Sequence, residues 1–117
     1  MVGMMRRGEI WVANLNPTRG AEVGKVRPVL VLQADWLTEQ GARTVVAVPL
    51  STKTRSDSSA LRFTIKARER LKADSHLIIE KIRAVDRSRF GEGPLARVDE
   101  VEFAEIERQL SLVLDMG

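Results

Sequence analysis

Short runs of β-branched and aliphatic residues, each closed after a few positions by proline, glycine or a polar turn, make up most of this chain, and only its last segment carries helical periodicity. That punctuation restricts the fold to short strands joined by tight turns, with one helix at the end. Ile10 to Leu15 reads as a strand ended by Asn16-Pro17 and a loop holding Gly20 and Gly24. Val26 to Gln33 is apolar at nearly every position after Arg27-Pro28, the pattern of a strand buried on both faces, with Pro28 expected at its start where a missing N–H is tolerated. A helical turn is expected from Trp36 to Gln40, ending at Gly41, and a further strand from Thr44 to Leu50. Ser51 to Ser59 reads as an exposed loop, Leu61 to Ile65 and Leu77 to Val85 as strands, and Lys66 to Lys72 as a helical turn between them.

The terminal helix has the strongest local signal. Asp99 stands as N-cap with Glu102 three residues on, as in a capping box, and Phe103, Ile106, Leu110, Val113 and Leu114 form one apolar face. The expected architecture is therefore a mainly β fold with small helices: a strongly curved antiparallel sheet or partly open barrel capped by a C-terminal α-helix.

With 117 residues, of which 44% are apolar, the chain fits a single domain over 1–117. So small a core leaves limited stability, which a dimer burying more apolar surface would supplement. Cysteine is absent, so disulfides, thiolate metal sites and a cysteine nucleophile are excluded, and a reducing cytoplasmic setting is the expectation. The basic start, Met1 to Arg7, runs into Gly8-Glu9 with no apolar signal-peptide core, and no apolar stretch is long enough to span a membrane.

The net charge of +3 is unevenly spread. Lys53, Arg55, Arg62, Lys66, Arg68, Arg70 and Lys72 are opposed in their segment only by Asp57 and Glu69, whereas Asp99 to Glu107 is acidic. A polyanion-binding face and a solvated surface with sign asymmetry explain this equally well.

Few side chains offer chemistry. His76 is the one histidine, which rules out paired-histidine acid–base catalysis, and its expected place is packing or hydrogen bonding at a strand edge. No metal-ligand spacing and no phosphate-cradling glycine motif occurs, so no cofactor is expected. What remains is Arg27, stiffened by Pro28 at a strand start, and the hydroxyls of Ser51 and Thr52 where another strand ends. A guanidinium on a rigid base suits phosphate oxygens. An ion pair of Arg27 with Glu22 or Asp86 accounts for the pattern as well. Trp11 reads as core or dimer interface, and Trp36 as packed more readily than as a base-stacking platform.

Four segments in order carry a family resemblance: Arg7-Gly8-Glu9-Ile10-Trp11; Leu15-Asn16-Pro17-Thr18 with Gly20-Ala21-Glu22; Val26-Arg27-Pro28-Val29-Leu30-Val31; and Asp74-Ser75 followed by Glu80, Ile82-Arg83 and Asp86. Together with Val48-Pro49-Leu50-Ser51-Thr52 they resemble the MazF/PemK/Kid toxin family over nearly the whole chain, from Arg7 to Leu114. The resemblance implies an SH3-like curved barrel of the CcdB/Kid/MazF kind and a twofold homodimer. It also implies a metal-independent endoribonuclease that cuts single-stranded RNA, arrests translation and is silenced by a cognate MazE-like antitoxin. It makes Arg27, Ser51 or Thr52, and Glu80 the candidate catalytic residues, and Glu22, Lys25, Lys53, Arg55 and Arg83 the candidate RNA-binding ones. Two departures, Val23-Gly24-Lys25 in the first loop and Lys81 after the strand carboxylate, bear on base selectivity. Two other functions fit a similar fold: a CcdB-like poison that binds DNA gyrase, and a noncatalytic SH3-like RNA- or protein-binding module.

Overall fold

The computed structural model describes residues 5–17, 19–20, 24–53 and 62–116. Seven strands and two α-helices lie within them: β1 (Glu9–Asn14), β2 (Val26–Val31), α1 (Asp35–Glu39), β3 (Thr44–Ser51), β4 (Arg62–Ile65), β5 (Ser75–Ile78), β6 (Arg83–Asp86), β7 (Ala96–Arg97) and α2 (Glu100–Leu114). The strands pair antiparallel in the order β4-β5-β3-β2-β1-β7, and β6 joins β3 on the same side as β5. β3 is the hinge of this curled half-barrel: Val29 faces Pro49 across one edge, while Thr44 to Ala47 pair with β6 and Leu50–Ser51 with β5 across the other.

Both faces of the sheet are covered, which is why its strands read as continuous apolar runs. On one face Ile10, Leu30, Val48, Leu50, Ile65 and Leu77 pack under α2, whose Ile106 is fully buried. The alternate residues Trp11, Ala13, Val29, Val31, Val45, Ala47 and Val85 form a second cluster with Met5, Leu15 and Phe90. The buried Glu9 carboxylate is satisfied there by Trp11 Nε1 (3.0 Å), the Arg6 amide (2.9 Å) and Arg97 Nη2 (2.8 Å).

The capping box appears as expected: Asp99 accepts from the Glu102 amide (2.7 Å) and Glu102 from the Asp99 amide (2.9 Å). Phe103, Leu110 and Val113 pack against the core, whereas Leu114 is exposed.

Four expectations are corrected. Leu77 to Val85 is not one strand, because a 3-10 turn at Ile79–Lys81 separates β5 from β6 and lets both pair with β3. Lys66 to Lys72 is not helical. Arg68 and Leu71 bridge across a tight turn with Glu69 at φ +50°. Pro28 lies inside β2, opposite Val12, rather than at its start. Trp36 is 62% exposed on α1, not packed. β7, two residues long, carries too little pattern to be read from sequence. Glu22, Arg55 and the 54–61 part of the loop after β3 lie outside the described residues.

Candidate active site where β2 begins and β3 ends

Arg27 is the second residue of β2, paired with the fully buried Ala13 of β1 and followed by the ring of Pro28. Among its contacts, Nε donates to the Gly24 carbonyl (2.8 Å) and Nη1 to the Leu50 carbonyl (3.3 Å). The second bond crosses from β2 to the end of β3. Extending the β2–β3 register past Val29–Pro49 by one more pleat brings Arg27 level with Ser51. Ser51 is half-buried and its Oγ accepts from the Lys53 amide (3.1 Å), while Thr52 and Lys53 are exposed.

Lys25 completes the rim from the other side. Its backbone is pinned by Asn16 Oδ1 at its amide (2.9 Å) and by the Leu15 amide at its carbonyl (2.9 Å), and it is held at φ +72°, a conformation that costs an L-residue energy. Lys25, Arg27, Pro28, Leu50, Ser51, Thr52 and Lys53 together line an open pocket of about 230 Å³. Three cations, two hydroxyls and no carboxylate among the described lining residues give the pocket the chemistry to attract an anion, and a guanidinium is the cation best matched to phosphate oxygens.

The pocket gathers five of the residues picked from sequence: Lys25, Arg27, Ser51, Thr52 and Lys53. Two others stand apart. Glu80 is exposed on the 3-10 turn after β5. Arg83 lies on β6 opposite Ala47, with Nη1 buried and, among the described residues, without a hydrogen-bond partner. The alternative partner Asp86 accepts from Ser88, which holds its pKa below the usual range, and the cations acting on it are Arg43 and Arg89 rather than Arg27.

Three cations of the basic tract are paired. Lys66 meets Asp74 (3.5 Å), Arg70 meets Glu92, and Arg68 grips Glu102 with two bonds of 2.6 Å. These cations join surface elements to one another. Lys25, Arg27 and Lys53 come together instead at the pocket between β2 and β3. Among the described residues no three His, Asp or Glu side chains converge as a metal site.

Sequence reasoning left His76 at a strand edge, just outside the expected strand. It lies within β5, directly opposite Ser51, and alternation along β5 was the one signal that could have placed it.

Comparison with known proteins identifies the family and the fold. Residues 6–114 match the model of the PemK-like, MazF-like toxins of type II toxin-antitoxin systems. The Endoribonuclease MazF of Staphylococcus epidermidis is 29% identical over 114 residues, covering 97% of this chain and 94% of that protein. The crystal structure of MazF from Deinococcus radiodurans superposes with a TM-score of 0.79 at 25% identity, over 96% of this chain and 97% of that one. An endoribonuclease in complex with its cognate antitoxin, from a mycobacterial species, shares the fold with a TM-score of 0.75 at 18% identity, over 97% and 98% of the two chains. The chain belongs to the PemK/MazF toxin family.

Proposed function

We propose that this member of the PemK/MazF family is an endoribonuclease toxin that cleaves single-stranded RNA and is neutralised by a cognate antitoxin. The observation that carries the reading is the pocket in which the guanidinium of Arg27 and the hydroxyls of Ser51 and Thr52 meet, with Lys25 and Lys53 at the rim. Relatives bearing the name Endoribonuclease MazF, and a fold-mate solved with its antitoxin, support it.

The chemistry we assign is attack by an RNA 2′-hydroxyl on the adjacent phosphorus. The P–O5′ bond breaks, leaving a 5′-hydroxyl on one fragment and a 2′,3′-cyclic phosphate, or the 3′-phosphate from its hydrolysis, on the other. Negative charge builds on the phosphoryl oxygens in the transition state, and fixed cationic donors stabilise it more than the ground state. Arg27 supplies that donor, and a guanidinium is too weak a base to take the 2′-hydroxyl proton. Ser51 or Thr52 adds a hydrogen bond to a nonbridging oxygen. Glu80, outside the pocket on the 3-10 turn, is the candidate base that takes the 2′-hydroxyl proton, and Arg27 is the candidate donor of a proton to the departing 5′ oxygen. Lys25, Lys53, Arg83, Glu22 and Arg55 are the candidate contacts to flanking nucleotides, so affinity should fall steeply with salt.

The same reading makes the protein a single domain acting in the cytoplasm as a homodimer. No helix among the described residues is long and apolar enough to cross a membrane. Exposed Val26, Trp36, Val101, Leu112 and Met116 offer apolar surface that a second copy would cover. Purified protein incubated with a long unstructured RNA in EDTA tests the nuclease: discrete fragments with 5′-hydroxyl ends support it, and intact RNA across varied sequences contradicts it.

A further inference from the structure

The sole histidine shares a line of side chains with the candidate catalytic groups. His76 on β5 stands directly opposite Ser51 on β3 and, on its other side, directly opposite Thr64 on β4. Residues opposite one another in an antiparallel pair project from the same face. This face carries Pro49 and Ala47, while Leu50, Leu77 and Ile65, the intervening residues, point the other way into the core beneath α2. With Arg27 level with Ser51, the order across β2, β3, β5 and β4 is Arg27, Ser51, His76, Thr64. His76 stands two strand spacings from Arg27, about 10 Å.

The imidazole is oriented as well as placed. Thr64 Oγ1 lies 3.0 Å from Nδ1, and among the described residues Nε2 has no partner. When the hydroxyl donates to Nδ1, the neutral ring carries its proton on Nε2, which makes that atom a donor. A half-buried, braced ring with a spare donor on the active-site face is more than packing requires.

We infer that His76 is a substrate-positioning residue that, braced by Thr64, donates through Nε2 to a phosphate next to the scissile one. The inference rests on the nuclease reading above. It extends the phosphate track from Arg27 and Ser51 across β5 toward β4.

The test uses the full-length protein and a single-stranded oligoribonucleotide with one cleavage site, prepared intact and with one flanking phosphate at a time replaced by an uncharged methylphosphonate. His76→Leu is expected to raise KM roughly tenfold, with the loss falling on KM rather than on kcat. His76→Gln, which keeps an amide donor at similar reach, should recover part of it, and Thr64→Val, on an exposed position, should reproduce part of the loss without touching the ring. One methylphosphonate should raise KM for the wild type and leave His76→Leu no worse. A KM unchanged in both His76→Leu and Thr64→Val, or a methylphosphonate penalty identical in wild type and His76→Leu at every position, overturns the inference alone. Absence of any cleavage by the wild type contradicts the nuclease reading, and this inference with it.

Discussion

Arg27 Nη1 donates to the Leu50 carbonyl oxygen at 3.3 Å, so the guanidinium is tied to the strand end that presents Ser51 as its next side chain. The Nε bond to Gly24 fixes the other side of the fork, and the group is thus oriented before any ligand arrives. Preorganisation of this kind is what lets a donor favour a transition state, since little reorientation is left to be done during the reaction.

The same geometry separates the two adjacent hydroxyls. Ser51 directly follows the Leu50 carbonyl that Arg27 holds and its Oγ is braced by the Lys53 amide, whereas Thr52 is exposed. Ser51→Ala is expected to lower kcat about 100-fold, in line with the loss of one transition-state donor, and Thr52→Ala to change it less than about tenfold. Single-turnover cleavage of a short RNA measures both. Equal effects would mean that the two hydroxyls share the role.

Lys25 carries backbone strain at the rim of the pocket. Glycine accepts φ +72° without the Cβ penalty, so Lys25→Gly is expected to raise stability by up to about 1 kcal/mol. The lost cation should at the same time weaken RNA affinity and flatten its salt dependence. Urea denaturation and RNA binding at several salt concentrations read the two effects separately. A clear loss of stability would show that the lysine side chain contributes more than its backbone costs.

On the same face of the sheet, over β1, Gly93 lies against the indole of Trp11 so closely that a Cβ would fall inside the ring's van der Waals envelope. Trp11 is 6% exposed and bonded to Glu9, so it has no room to yield. Gly93→Ala should cost about 3 kcal/mol by overpacking, seen as a lowered denaturation midpoint. An unchanged midpoint would mean that the 92–95 segment can move away from the ring.

Acid should loosen α2 from the turn after β4. Two hydrogen bonds from Arg68, then the Asp99 amide, hold the Glu102 carboxyl below its ordinary pKa despite some opposing desolvation. A carboxyl with a depressed folded-state pKa stabilises the fold above its unfolded pKa of about 4.3, and that contribution is lost as pH falls through the folded value. Glu102→Gln is expected to cost about 1 kcal/mol at neutral pH and to flatten the loss of stability below about pH 4.3. Denaturant midpoints from pH 7 to pH 3 check it. Parallel curves for the two proteins would contradict the assignment.

The elements that could be read from sequence were those decided locally. The capping box at Asp99 and Glu102 and the apolar runs of β1, β2 and β3 are each specified by neighbours in the chain. The break between β5 and β6 was not legible, because the hydrophobic run from Leu77 through Ile82 to Val85 satisfies two separate pairings with β3, and only the tertiary pairing shows where it divides. Trp36 was misread for a related reason: aromatic size predicts burial on average, but α1 is one short turn whose outer side has nothing to pack against among the described residues. Of the candidate site, Arg27 and the Ser51-Thr52 pair were visible from residue type and strand ends. The distribution of positive charge was not, because Lys66, Arg68 and Arg70 find their carboxylates on Asp74, Glu102 and Glu92 through contacts that sequence spacing does not encode.

Cleavage by Arg27→Ala against wild type tests the central claim most directly, using one long RNA in EDTA, with end mapping and a circular dichroism check that both proteins are folded. The account predicts discrete wild-type cuts with 5′-hydroxyl ends, and loss of those cuts in a folded Arg27→Ala protein. Undiminished cutting at the same sites by the variant would contradict it, and would move the reaction out of the pocket between β2 and β3.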